Sequence, residues 1–99
     1  MATGITYSVE EARDLLPTIR ATLLQLALLR QADGDEETLQ ALIDHLDSLG
    51  VVLRDLDAGL VDIPTTRGAE HACLCWRLED PDVGWWHTTR EGFSSRRPL

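Results

Sequence analysis

The chain has 99 residues, room for one domain built on one modest core. Its 17 acidic residues outnumber nine basic ones, for a net charge of −8. That balance excludes the clustered positive charge of a non-specific nucleic-acid binder and repels an anionic membrane surface. No apolar run approaches the ~20 residues of a membrane span. The start, MATGITYSVEEARD, lacks the basic, apolar and small-residue regions of a secretory signal, so the expected setting is the cytoplasm. All nine bases are arginine and no lysine or asparagine occurs, a bias that matches a GC-rich bacterial genome. Residues 1–66 carry 12 acids and four arginines; residues 67–99 carry five of each, so the first two-thirds hold the whole excess.

Ser8-Val9-Glu10-Glu11 is a capping box and predicts a helix start. Pro17 falls inside the pattern that follows. It removes a backbone donor and disfavours helix at Leu16, so the first helix is expected to kink or split there. From Ile19 to Arg30 the chain is apolar on more than one side. Ile19, Leu23, Leu26 and Ala27 form one stripe, Leu24 and Leu28 a second flank, and Leu29 a third. A helix apolar nearly all round touches more than one neighbour. The expected second contact is the sheet or another subunit, with Leu24, Leu28 and Leu29 as candidate self-association residues.

Gln31 to Asp35 is a short polar turn, and Asp33 or Asp35 is placed to cap a second helix with an acidic first turn, Glu36 and Glu37. Leu39, Leu42, Leu46, Leu49, Leu53, Leu56 and Leu60 then repeat at spacings of 3 and 4, a heptad seam. The seam predicts one long helix ending at Gly59, antiparallel to the first. After it the period becomes 2. Leu60 to Pro64 reads as a short edge strand ended by the proline. From Glu70 to Leu78, Ala72, Leu74, Trp76 and Leu78 face one way and His71, Cys73, Cys75 and Arg77 the other. Glu79 to Asp82 reads as a turn and Val83 to Thr88 as the return strand, with Trp76 opposite Trp85 and Leu74 opposite His87. Thr89 to Leu99 reads as an extended tail, with Phe93 available to anchor it. The fold class expected is α+β in a single domain over 1–99: a helical hairpin over 8–59, a three-stranded antiparallel meander over 60–88, and a tail over 89–99.

No catalytic constellation stands out, and neither a metal nor a cofactor is assigned. His71, Cys73 and Cys75 share a strand face as H-x-C-x-C. This is a metal or thiol candidate, set against the plainer reading of two small buried thiols and a surface histidine. The expected register turns His87 away from that face. A disulfide between residues two apart would be strained, so free thiols are expected. Gly84-Trp85-Trp86-His87 sends adjacent tryptophans to opposite faces, one of them toward the helices. Trp86, His87, Glu91 and Arg96 form a candidate site for a small ligand or anion, since histidine titrates near neutrality and arginine grips anions in a fork. Surface ion pairing accounts for the same charges.

Five stretches occur together and in order: Tyr7-Ser8-Val9-Glu10-Glu11-Ala12 with Leu15-Leu16-Pro17; Leu49-Gly50-Val51 with Leu56; Gly59-Leu60-Val61-Asp62; Leu74-Cys75-Trp76-Arg77-Leu78; and Gly84-Trp85-Trp86-His87 with Glu91-Gly92-Phe93 and Arg96. In these the chain resembles the bacterial and archaeal family catalogued as domain of unknown function 2203, most specifically in the last strand and tail. The resemblance implies a small cytosolic protein without an established activity. The leading functional expectation is an interaction module forming a homodimer through its helical hairpin, with neither nucleic acid nor membrane as partner.

Overall fold

The computed structural model describes residues 4–99, with the Phe93 side chain outside the description. Helix α1 runs from Val9 to Gln31. Its capping box is closed: the Glu11 amide donates to Ser8 Oγ at 3.1 Å and the Ser8 amide to Glu11 Oε1 at 2.9 Å. Of the kink or split expected at Pro17, the split does not occur, since one helix passes through it. Pro17 lies on the exposed side of the helix. Asp33 takes a left-handed turn conformation, and Asp35 caps helix α2, Glu36–Ser48.

The heptad seam is not one helix. Helix α2 stops at Ser48, and Gly50, with φ of 77°, closes it. The Val51 amide donates to Leu46 O at 3.0 Å and the Gly50 amide to Asp47 O at 2.9 Å, the paired bonds of a Schellman ending. β-Branched Val51 and Val52 then lead into β1, Val52–Asp55. Leu53 packs against the core from that strand and Leu56 from the turn after it. Leucine spacing of 3 and 4 is therefore met by a helix end, a strand and a turn in succession.

The sheet has five antiparallel strands, in the order β1-β2-β3-β4-β5, not the three expected. After β1 come β2, Leu60–Arg67; β3, Glu70–Arg77; β4, Trp85–Thr88; and β5, Arg97–Pro98. The two additions are β1, read as helix, and β5, read as tail. β2 is an inner strand that runs through Pro64. The Pro64 carbonyl accepts from the Tyr7 amide at 2.8 Å, so that residue's backbone groups point away from β3. The missing proline donor therefore costs no β2–β3 ladder bond.

The β3–β4 register differs from expectation by one residue. Leu74 pairs with Trp86, Cys75 with Trp85 and Cys73 with His87. The connection is longer than a tight turn. Asp80 folds back to accept the Arg77 amide on its carboxylate and the Trp76 indole N–H on its carbonyl, while Val83 is buried rather than paired. A one-residue slip exchanges the faces of a strand, so His87 shares a face with both cysteines.

Both helices cover the other face. Ala12, Leu16, Ile19, Leu23 and Leu26 of α1 and Leu46 of α2 bury against Val51, Val61, Ile63, Leu74 and Trp76. The expected inward side of β3 is correct. Arg20 fixes α1 to the sheet by donating to Leu78 O at 2.8 Å while its guanidinium lies 5.0 Å from the Trp76 ring centre. Tyr7 straps the segment before α1: its hydroxyl donates to Leu49 O at 2.6 Å, and its own carbonyl accepts the Thr65 hydroxyl at 2.6 Å. No helix among the described residues is long and apolar enough to cross a membrane.

Candidate functional site

The outer face of the sheet carries a polar network where a two-layer fold ordinarily shows solvated side chains. Asp62 of β2 and His87 of β4 lie on either side of β3, only 3% and 2% exposed. His87 Nε2 is 2.9 Å from Asp62 Oδ1, and Arg54 Nε donates to Asp62 Oδ2 at 2.7 Å. His87 Nδ1 lies 2.7 Å from the Thr88 carbonyl. The network ties β1, β2 and β4 together across the outer face of the sheet.

Cys73 and Cys75 sit beside this network, both buried and both free thiols, as expected. Burial, aided by the Asp62 charge, pushes each thiol up to about 11. At neutral pH both are therefore protonated, poor nucleophiles. Native protein at pH 8 is expected to leave both unreacted toward a chromogenic disulfide reagent, and denatured protein to titrate two. A thiol whose folded pKa lies above its unfolded value of 9.0 stabilises the fold below pH 9, and that stability is lost as pH rises toward 11. The melting temperature is accordingly expected to fall across that window.

His71, the third member of the sequence candidate, lies exposed near the far end of β3, opposite Thr66. With Cys73, Arg54, Pro64 and Thr89 it lines a cleft of about 760 Å³. A second cleft, of about 330 Å³, is bounded by Leu60, Thr89, Glu91 and Gly92 and includes Asp62 and His87 in its lining. Arg54 and Thr89 line both.

The candidate set Trp86, His87, Glu91 and Arg96 is divided by the sheet. Trp86 faces the helices beside the core, with the guanidinium groups of Arg67 and Arg97 at 4.6 and 5.2 Å from its ring centre. Trp85 and His87 take the outer face, and Arg96 stacks on Trp85 at 4.6 Å. Glu91 caps the end of β4, accepting from the Thr88 hydroxyl at 3.0 Å and meeting Arg97 at 3.3 Å. The Thr88 hydrogen bonds hold its carboxyl below the usual range. Sequence reasoning missed Asp62 and Arg54. The available signal was a lone acid inside the apolar strand Leu60-Val61-Asp62-Ile63, where a buried charge requires a partner.

The second unusual surface is on α1. Leu24 and Leu28 are 47% and 66% exposed, and Pro17 and Ala21 are exposed on the same side. The four are spaced 4, 3 and 4, so they form one continuous apolar line. Leu29 is partly buried and packs at the hairpin turn, where a side chain on Gly34 would come within 2.9 Å of it.

The family model described as "Uncharacterized conserved protein (DUF2203)" matches residues 25–99. The chain belongs to this family. The DUF2203 match begins within α1 and takes in the entire sheet, so the Arg54–Asp62–His87 network and both thiols lie inside it. The family description states no activity. No curated protein and no solved structure matches the chain.

Proposed function

We propose that this DUF2203 protein is an interaction module that pairs with a second copy of itself through the exposed line of α1. The observation that carries the reading is the spacing of Pro17, Ala21, Leu24 and Leu28, all outside the core. Spacings of 4 and 3 are those of a helix seam that meets a like seam at a shallow angle. Among the described residues, Ile19, Leu23 and Leu26 supply the face of α1 that meets the sheet and α2, while Pro17, Ala21 and Leu24 border an open cleft with Pro81 and Asp82. A helix pairing with its own copy about a two-fold axis gives an isologous dimer, the commonest oligomer. The compartment we infer is the cytoplasm, on the strength of two thiols that remain free side by side on one strand.

Sedimentation of variants tests the reading. Leu24→Glu and Leu28→Glu are expected to convert dimer to monomer and to lower the urea midpoint only by the stability that association adds, since both side chains are largely in water in the single chain. Leu46→Ala, at the buried hairpin contact, is expected to cost about 2–5 kcal/mol of stability instead. A Leu24→Glu chain that stays dimeric would move the interface off α1.

A further inference from the structure

Asp62, Cys75 and His87 come from three adjacent strands and are all buried, and one donor atom from each lies within 4.8 Å of the other two. We propose that these three residues form a zinc site beside the cleft that Asp62 and His87 help to line. The donors are a carboxylate oxygen, a thiol sulfur and an imidazole nitrogen, a set that suits zinc and leaves one coordination place for water or a ligand. The surroundings are those of oriented ligands. The Thr88 carbonyl holds His87 Nδ1, which aims Nε2 inward, and Arg54 holds Asp62 Oδ2, which leaves Oδ1 for the metal.

The register fixes the triad on rigid elements. Asp62 pairs directly with Cys75 across β2 and β3, and His87 lies on the far side of the same strand. Metal–ligand bonds of about 2.0–2.3 Å set donor separations of roughly 3.3–3.7 Å. The 2.9 Å contact between Asp62 Oδ1 and His87 Nε2 therefore opens by less than about an ångström when the metal takes the place of the shared proton. On binding, the Cys75 thiol proton and the Nε2 proton pass to solvent. Thiolate and carboxylate then balance the two charges of the ion, and the half-exposed Arg54 side chain stays screened by water. Cys73 is on the same face but pairs with His87 rather than Asp62, so it lies outside the triad.

The experiment uses the full reduced chain, stripped with a chelator and titrated with Co²⁺ and then Zn²⁺. The expected result is one equivalent bound, a sulfur-to-cobalt charge-transfer band with the strong visible bands of a tetrahedral ion, displacement by zinc, and a higher melting temperature with metal present. Cys75→Ser is expected to reduce the charge-transfer band to background, and Cys73→Ser to retain it. X-ray absorption of the zinc-loaded natural chain needs no variant and is expected to show one sulfur among nitrogen and oxygen neighbours. No cobalt band, a band that survives in Cys75→Ser, or two sulfurs on zinc would each overturn the proposal. Because the readouts are spectroscopic, they are independent of whether the chain is a monomer or a dimer.

Discussion

Asp62→Ala is expected to cost about 3–5 kcal/mol, because it strands His87 in the protein interior without its partner. Small domains have only about 5–15 kcal/mol in total, so this one change removes a large share of it. The expected order within the network follows from exposure. His87 is 2% exposed and Asp62 3%, whereas the Arg54 side chain is 52% exposed and returns to water when the pair is broken. Arg54→Ala keeps the Asp62–His87 contact but leaves the buried Asp62 Oδ2 without its donor, so it should cost about 1–3 kcal/mol. Urea denaturation followed by circular dichroism measures all three, and a double-mutant cycle between Asp62→Ala and His87→Ala isolates their coupling. A loss below about 1 kcal/mol for Asp62→Ala would show that water already reaches the outer face and that the network is peripheral.

Trp76→Ala is expected to be comparably damaging, about 3–5 kcal/mol from lost burial and the cavity left behind. Trp76 is fully buried between the sheet and α1, so no neighbour can collapse into its place without moving an element. It also organises polar groups. Its indole N–H donates to Asp80 O at 3.1 Å, and Arg20, which donates to Leu78 O, lies over its ring. Trp76→Phe keeps most of the volume and loses the donor, so it should cost only about 1–2 kcal/mol. Equal losses for the two variants would assign the effect to the hydrogen bond; the volume argument predicts a gap of at least about 1 kcal/mol.

What the sequence made legible was local. Ser8 and Glu11 announce the start of α1 because both halves of a capping box lie within one turn, and both bonds form. The alternation of β3 identified which side meets the helices because Leu74 and Trp76 are too large to leave in water. The long heptad misled because leucine spacing carries no information about backbone direction. Gly50, which costs a helix only about 1 kcal/mol on propensity, was decisive here through the left-handed turn it enters. The β3–β4 register was lost on the Asp80 loop, whose side chain bonds to Arg77 and lengthens the connection. The candidate network was hidden by that same slip: Asp62, Arg54 and His87 are up to 33 residues apart, and only the correct register places His87 and Cys75 on one face. The two edge strands were missed for opposite reasons, β1 because it resembled helix and β5 because two residues carry no period.

Self-association through α1 is most directly tested by sedimentation velocity of the natural chain in reducing buffer, over a concentration series through the micromolar range. The expected result is a species of twice the 11.0 kDa chain mass that dissociates on dilution or on Leu24→Glu. A single 11.0 kDa species throughout the series would contradict it and leave the exposed line of Pro17, Ala21, Leu24 and Leu28 without a role in pairing.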